Sequence, residues 1–241
     1  MRPSLWILVA ATALTLPACE STPDDPKVPP GFQLIYSQDF ESSSWLTDFA
    51  VSDPAVWVPG IVGDTGTFLI TGPGERIPPH GGPKDYALLG GVMAGPFVLD
   101  FDVMPVESVS ELLVFFAVES KDQYVYASLA PRAGPRSHDV FRVDNAQPLP
   151  ISTRRSFGVE LTPGVWQSVR VQRLDLAGRV SIAIGNPPTL QMEARNGALA
   201  PGWLGFGVSG GAAHFDHMRL YAPDYDMRSI EHLPAAGQSR K

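Results

Sequence analysis

The chain of 241 residues contains one cysteine, Cys19. A single thiol forms no disulfide within the chain and supplies no thiolate metal cluster. The formal net charge is −7, from 18 lysines and arginines against 25 aspartates and glutamates. Because an acidic chain without a basic cluster does not hold a phosphate backbone, we expect no nucleic-acid partner. Beyond the N-terminal region the sequence has no run of about 18 apolar residues, so no later segment is a candidate transmembrane helix.

Motifs of two enzyme classes are also missing. The sequence has no Gly-x-Ser-x-Gly elbow and no nucleotide-binding glycine loop, and its one cysteine lies in the N-terminal region. These absences argue against nucleophilic catalysis by serine or cysteine and against a nucleotide-dependent enzyme.

The N-terminus has the features of an export signal. A positively charged start precedes an apolar run from Leu5 to Leu16, which is too short to span a bilayer as a helix. Leu16-Pro17-Ala18-Cys19 resembles the bacterial lipobox. The resemblance implies that residues 1–18 are a cleavable signal peptide and that Cys19 carries lipid. We therefore expect a lipoprotein of the bacterial cell envelope, anchored in the membrane through this lipid, and Glu20 favours the outer membrane. Ordinary cleavage that leaves a free thiol is the alternative.

The remaining chain divides into a linker, one domain and a tail. Residues 19–31 are a proline-rich linker, with prolines at 23, 26, 29 and 30. Residues 32–223 are long enough for one domain with a single core, and we expect a monomer. Residues 224–241 lose the apolar pattern and are predicted to be a frayed tail.

From residue 32 onward, short apolar stretches alternate with turn residues, and no 3.6-residue spacing is sustained, which predicts an all-β sandwich. In 97–104 every second residue is apolar and shares one face, and Val165, Val169 and Val171 repeat this pattern in 165–173. The segment 112–118 is apolar on both faces, which predicts a central strand covered on each side. Further strands are predicted at 32–40, 67–71, 86–92, 123–130, 138–143, 157–161, 180–184, 189–194, 203–209 and 213–221.

Several segments carry a family resemblance through their order. They are Gly95-Pro-Phe-Val-Leu-Asp-Phe-Asp-Val, Pro163-Gly-Val-Trp-Gln-Ser-Val-Arg-Val, Gly202-Trp-Leu-Gly-Phe-Gly-Val and Ala213-His-Phe-Asp-His-Met-Arg-Leu. Over about residues 32–222 the chain resembles the concanavalin A-like jelly rolls, in particular laminin-G-like domains and the 3-keto-disaccharide hydrolase family. The resemblance implies a two-sheet antiparallel β-sandwich. Such folds include lectins, glycoside hydrolases, lyases and adhesive modules, so function has to be argued from a site.

A retaining glycosidase needs two carboxylates about 5–5.5 Å apart. Family-16-type glucanases of this fold carry them as Glu-x-Asp-x-x-Glu on one strand, and that motif does not occur here. The nearest arrangement is Asp100-Phe-Asp102, which we interpret as a solvated strand face. The Gly-Ile-x-Phe-Arg run of the 3-keto-disaccharide hydrolases is replaced by Leu112-Leu-Val-Phe-Phe-Ala-Val, without the arginine. No catalytic residue is therefore assigned.

The richest polar stretch runs from residue 119 to 144. Tyr124 and Tyr126 share one face of a predicted strand, and His138, Arg142 and Asp144 share a face of the next one. If these strands pair as a hairpin, we expect the five side chains to converge on one sheet surface. Aromatic faces beside a few hydrogen-bonding groups are typical of a shallow sugar site. Half-buried tyrosines without a ligand are the alternative interpretation.

A metal site is predicted neither at His214, Asp216 and His217 nor elsewhere, since His217 points away from the other two in a regular strand. No cofactor is expected, although calcium bound through loop oxygens stays open without assigned ligands. The leading hypothesis is noncatalytic recognition of a glycan or polysaccharide. A hydrolase or lyase of the 3-keto-disaccharide hydrolase type and a protein-binding adhesion module are the alternatives.

Overall fold

The computed structural model describes residues 28–73, 85–107, 111–130, 132, 134, 138–145, 147–175, 177–195 and 199–228. The predicted signal peptide, Cys19 and most of the predicted linker lie outside these ranges. Within them, no helix has the length and apolar character needed to cross a membrane.

The described residues contain one 3-10 helix, Ser43–Asp48, and eighteen strands. In chain order the strands are β1 (Gln33–Gln38), β2 (Phe49–Val51), β3 (Trp57–Val62), β4 (Thr65–Ile70), β5 (Asp85–Leu89), β6 (Gly91–Ala94), β7 (Phe97–Pro105), β8 (Glu111–Ser120), β9 (Gln123–Leu129), β10 (His138–Asp144), β11 (Gln147–Pro150), β12 (Ser152–Arg155), β13 (Gln167–Arg173), β14 (Arg179–Gly185), β15 (Pro188–Arg195), β16 (Trp203–Ser209), β17 (Ala213–Ala222) and β18 (Tyr225–Arg228).

Two large antiparallel sheets pack face to face. The nine-stranded sheet has the order β12-β15-β14-β13-β7-β17-β4-β3, and β1 pairs with the second half of β17. The seven-stranded sheet has the order β11-β10-β9-β8-β16-β5-β2, and β6 and β18 form a separate two-stranded ribbon. The prediction of an all-β, two-sheet antiparallel sandwich is confirmed.

Alternating side chains of the two sheets form the core. In β7 the side chains of Phe97, Leu99, Phe101 and Val103 are buried, while the intervening aspartates are half-buried on the outer face. The two sheets meet at Phe206 of the seven-stranded sheet, whose ring stacks on Phe215 of the nine-stranded sheet at 4.3 Å and 14°. Burial of each such side chain contributes about 1.5–3 kcal/mol, so these rings hold the sheets together.

The central strand of the seven-stranded sheet is covered on both faces, as its apolar sequence predicts. Residues 112–118 of β8 are all buried. One set of these side chains belongs to the core between the sheets, and Leu113, Phe115 and Val118 belong to a second apolar cluster on the outer face. This second cluster is the floor of the surface described below.

Three local predictions are wrong. Residues 157–161 form no strand, because Gly158 has a left-handed backbone (φ +87°) that a strand does not accommodate. Strand β13 begins only at Gln167, and Val165 before it is exposed. The predicted tail is ordered at residues 225–228, because β18 pairs with β6 through backbone hydrogen bonds that need no apolar side-chain pattern.

Candidate functional site

Tyr124 and Tyr126 lie on the outer face of the seven-stranded sheet. In β9 they alternate with Val125 and Ala127, which are buried in the core between the sheets. Directly paired residues of antiparallel strands share a face. Tyr126 pairs with Phe115 of β8 on one side and with Phe141 of β10 on the other, so all three rings project outward.

These rings belong to a row that crosses the strands. The ring of Tyr126 stacks on Phe141 at 5.1 Å and 19° and lies 6.2 Å from Phe115, which in turn lies 6.0 Å from Tyr86 of β5. We call these four residues the aromatic row, and the outer face that carries them the aromatic face. Tyr124 extends it along β9, 6.0 Å from Tyr126. Because the row reaches from β10 to β5, it spans four strand spacings, or roughly 19 Å.

Two glycines of β16 allow the row to cross the sheet. Gly205 and Gly207 occupy the outward-facing positions between β8 and β5, where they pair with Phe115 and Tyr86 respectively. A side chain at either position would stand between those two rings. An added Cβ at Gly205 would also lie 2.0 Å from the carbonyl oxygen of Ala87, which no real contact permits. The two glycines therefore leave this strip of the outer face without side chains, so that the rings of Phe115 and Tyr86 meet across β16.

The floor and rim of the aromatic face differ in exposure. Leu88, Leu113, Phe115, Val118 and Trp203 are buried in the outer cluster, and Tyr86, Met93, Tyr124 and Tyr126 pack against it while half-buried. The Nε1 of Trp203 is buried and has no hydrogen-bond partner among the described residues. The face thus combines a buried apolar floor with half-exposed ring edges and phenol hydroxyls.

The predicted convergence of Tyr124 and Tyr126 with His138, Arg142 and Asp144 is wrong. The hairpin of β9 and β10 does form, but its register pairs His138 with Leu129, Arg142 with Val125 and Asp144 with Gln123. Val125 and Leu129 face the core, so these three β10 residues point away from the aromatic face. A register shift of one residue moves every side chain to the other face, and shared parity within each strand does not fix that register.

His138 and the Arg142–Asp144 pair have structural surroundings. His138 is only 2% exposed and packs so closely against Gly158 that a Cβ there would lie 1.9 Å from its Nε2. Arg142 Nη2 lies 3.8 Å from Asp144 Oδ2, and both side chains are more than 40% exposed. A surface ion pair of this kind adds little to stability.

Burial raises the pKa of both tyrosines of β9 to about 12. At Tyr124 the largest cause is burial, and the neighbouring Asp122 and Tyr86 add to it. At Tyr126 burial is again the largest cause, followed by Tyr124, Glu111 and Asp139. Both phenols are therefore neutral at physiological pH, and each hydroxyl can donate one hydrogen bond and accept others.

Pattern reasoning missed Tyr86, Phe115, Phe141 and Trp203. Phe115 lies in an apolar stretch whose outer face the pattern predicts only to be covered. Phe141 lies between His138 and Arg142, the residues that the pattern assigns to the site. Pairing of Phe141 with Tyr126 and of Phe115 with Tyr126 depends on strand register. The available signal is the position of Phe141 within β10. Phe141 lies an odd number of residues from His138, Arg142 and Asp144, so its side chain belongs to the opposite face of the strand.

The outer face of the nine-stranded sheet carries paired acids. Asp100 accepts two hydrogen bonds from Arg170, from Nε at 2.6 Å and Nη2 at 2.7 Å. Asp102 accepts one from Ser168 Oγ at 2.6 Å and lies 3.0 Å from Nδ1 of His217. Asp100 and Asp102 do share a face, as predicted, but both carboxylates are engaged within the sheet, which gives this pair a structural role.

The prediction that His217 points away from Asp216 is wrong. A bulge in β17 follows Asp216, and His217 adopts a left-handed backbone (φ +50°), which turns its ring toward Asp102 on the outer face. Asp216 is buried, and its Oδ1 accepts a hydrogen bond from the His217 amide. Even so, no group of three or more metal-ligating side chains occurs among the described residues.

The fold is similar to that of several solved carbohydrate-active proteins. Carbohydrate-binding module CBM66 from Bacillus subtilis matches with a TM-score of 0.51 and 10% identity, covering 71% of this chain and 93% of that chain. Domain 4 of AbnA, a GH43 extracellular arabinanase from Geobacillus stearothermophilus, solved in complex with arabinotriose, matches with 0.52 and 12%, covering 79% and 93%. A Bacillus licheniformis beta-glucanase matches with 0.51 and 9%, covering 78% and 97%.

These similarities show the fold. The predicted jelly roll is confirmed, since the sheets of this chain superpose on jelly-roll domains over most of both chains. No protein-family model and no curated protein sequence matches the chain. At about 10% identity, activity has to be argued from the residues of this chain.

Proposed function

We propose that this chain is a noncatalytic carbohydrate-binding domain whose aromatic face binds a glycan. The observation that carries the proposal is the aromatic row, in which each of four rings contacts the next across the seven-stranded sheet, with Tyr124 beside them. Sugar rings present C–H groups that pack on aromatic faces, while their hydroxyls need hydrogen-bond partners. Neutral tyrosine hydroxyls at the rim supply both donors and acceptors.

The length of the row favours an oligosaccharide or polysaccharide over a single sugar. Roughly 19 Å of contiguous rings is several times the width of one sugar ring. The carbohydrate-binding and arabinotriose-bound domains of similar fold support the same class of ligand. The ligand would run across the strands, from Phe141 toward Tyr86.

Recognition without catalysis agrees with the acids of the two faces. On the aromatic face the described acidic residues Glu111 and Asp139 pair with Ser209 and Ser128, so neither faces another acid across adjacent strands. The two aspartates on the opposite face of the sandwich are engaged by Arg170, Ser168 and His217. Neither arrangement resembles the free, close-set carboxylate pair of a retaining glycosidase.

Glycan binding is tested on a broad neutral and acidic glycan array with the lipid-free chain carrying Cys19→Ser, in calcium and in chelator. Reproducible binding supports the proposal if the affinity falls about threefold to tenfold in Tyr126→Ala, because an aromatic contact contributes about 0.5–1.5 kcal/mol. Phe157→Ala is the matched control, because Phe157 is 70% exposed and follows the edge strand β12 of the other sheet. Silence across the array, or equal loss in both variants, would overturn it. Unchanged binding in chelator would agree with a site that needs no calcium.

The cellular location of the protein is a second part of the proposal. The Leu16-Pro17-Ala18-Cys19 motif supports attachment of lipid to Cys19 and delivery to the bacterial cell envelope, with the outer membrane as the expected destination. Mass spectrometry of the mature protein tests this. A mass increase on a peptide that begins at Cys19, absent in Cys19→Ser, is expected, whereas an unmodified thiol there would contradict lipidation.

Size-exclusion chromatography with light scattering tests the expected monomer.

A further inference from the structure

The charged groups of the aromatic face are all acidic at the described strand positions. Glu111 begins β8 on this face, two residues from Leu113, and Asp139 of β10 pairs with outward-facing Ser128. None of the positions of the seven-stranded sheet that share this face is a lysine or an arginine. Arg142, the one lysine or arginine within the described strands of this sheet, pairs with core-facing Val125.

Arg155 and Lys121 are two cations that lie beside acids of this face or of its edge. Arg155 of β12 reaches across from the other sheet, and its Nη1 donates to Asp139 Oδ2 at 2.7 Å, so it neutralises that carboxylate. Lys121 is exposed in the turn before β9, directly beside Asp122. Neither Glu111 nor Asp122 makes an ion pair among the described residues, but Asp122 has Lys121 next to it in the chain. Glu111 is therefore the acid that gives the strand positions of this face a net negative charge.

The charged residues that act on the two tyrosine hydroxyls of β9 have the same sign. Every charged residue that acts on Tyr124 or Tyr126 raises the pKa of its phenol: Asp122 at the first, and Glu111 and Asp139 at the second. A nearby cation would lower it. Burial is the largest cause of both shifts, and the charged residues that add to it are all acidic.

We propose, on the basis of the function proposed above, that the ligand of the aromatic face is an uncharged glycan and that acidic glycans are excluded. A glycan carrying carboxylate, sulfate or phosphate groups would bring these groups close to Glu111 and Asp122. These anionic groups would lose hydration on a half-buried surface, and no strand position of this face offers them a lysine or an arginine in return. Like charges brought together at an interface oppose binding strongly, so the acids act as a filter against the wrong class of glycan.

The test compares one glycan backbone in three chemical states. The neutral glycan identified on the array is oxidised at its primary hydroxyls to carboxylates, and part of that product is converted to the methyl ester. Binding of the lipid-free Cys19→Ser chain to each is measured by calorimetry at low salt and at 1 M NaCl. We expect the oxidised glycan to bind at least about tenfold more weakly than the neutral one. Esterification should restore most of the binding, because it removes the charge and leaves the substituent.

Salt and charge-neutral variants separate repulsion from a steric effect. At 1 M salt the Debye length is about 3 Å, against about 30 Å at 0.01 M, so the penalty should shrink. The double variant Glu111→Gln, Asp122→Asn should bind the oxidised glycan more tightly than the parent does and the neutral glycan equally well. Oxidised glycan that binds the parent as tightly as the neutral form would overturn the inference while leaving glycan recognition intact. Absence of binding to every glycan would instead overturn the proposed function.

Discussion

The rings of Tyr86 and Phe115 meet at 6.0 Å in an edge-to-face arrangement, although a whole strand, β16, runs between the strands that carry them. The contact exists because β16 has glycines at the two positions beneath it, Gly205 and Gly207. Side chains of neighbouring strands usually meet one spacing apart. Here the glycines let two rings meet over two spacings, which makes the aromatic row continuous.

Gly207→Ala should destabilise the protein and weaken glycan binding together. A Cβ at Gly207 would lie 2.0 Å from the backbone carbonyl of Asp85, so β5 and β16 have to move apart. We expect a loss of about 1–3 kcal/mol in the free energy of unfolding, measured by urea denaturation. Ser181→Ala, at a half-exposed position of the other sheet, is the control and should change stability by less than about 0.5 kcal/mol. A variant as stable as the parent would show that β5 and β16 accommodate a side chain at this position.

Glycan binding should be insensitive to pH between 6 and 10. The pKa of both Tyr124 and Tyr126 is raised to about 12, so at pH 10 only about one per cent of each phenol is ionised. Affinity measured by calorimetry should fall only above that range, where the phenols lose their protons. A fall between pH 8 and 10 that disappears in Tyr126→Phe would contradict this, since it would assign a normal pKa to the Tyr126 hydroxyl.

The sequence predicts the sheets far better than it predicts the site. Alternation of Phe97, Leu99, Phe101 and Val103 specifies one buried face, because any other register would expose all four to water. The site depends instead on how β9 pairs with β10. Parity within each strand does not decide which face of β10 lies beside the tyrosines of β9. It therefore leaves open the alternative in which His138, Arg142 and Asp144 share the face of Tyr126.

Backbone irregularities account for the other differences. In a regular strand the side chain of His217 would lie on the face away from Asp216. The left-handed backbone of His217 in the β17 bulge instead turns its ring toward Asp102. Bulges carry no strong sequence signature outside glycine, and a histidine at positive φ gives no warning of one. Likewise β18 pairs with β6 although all its residues are exposed, so an apolar pattern could not have identified it.

His214 should make the protein less stable as pH falls below about 6.5. It is 8% exposed, its Nδ1 lies 2.8 Å from Thr67 Oγ1, and burial lowers its pKa below the ordinary value. The unfolded chain takes up a proton near pH 6.5, whereas the folded chain keeps this imidazole neutral to lower pH. The stability that His214 contributes is thus complete above pH 6.5 and is lost as pH falls through the folded pKa.

The variant His214→Asn isolates this contribution. Asparagine keeps a polar atom that can reach Thr67 but does not titrate, so the stability of the variant should fall less between pH 7 and 5 than that of the parent. The difference in slope should be at most about 1.4 kcal/mol per pH unit for one proton. Urea denaturation of both proteins at pH 7, 6 and 5 measures it. Parallel curves would show that His214 takes up its proton equally in both states.

Gly158→Ala should be the most destabilising glycine substitution in the loop that follows β12. Gly158 has φ +87°, and a Cβ there would lie 1.9 Å from Nε2 of the buried His138, so the variant combines backbone strain with a clash in the interior. We expect a loss of roughly 2–4 kcal/mol in the free energy of unfolding. Gly164→Ala is the matched control, because its φ is +74° and nothing lies within 4 Å of the added atom. That control should cost only the backbone term of about 1–2 kcal/mol.

Adding His138→Ala to Gly158→Ala separates the clash from the strain. If the imidazole is the obstacle, the double variant should lose less stability than the sum of the two single losses, with a coupling of about 0.5–3 kcal/mol in the double-mutant cycle. Because His138 faces the core, neither substitution should change the affinity for a glycan at the aromatic face once the protein is folded. Additive losses would mean that Gly158 is needed for its backbone alone. Loss of glycan affinity in folded His138→Ala would instead show that His138 contributes to glycan binding.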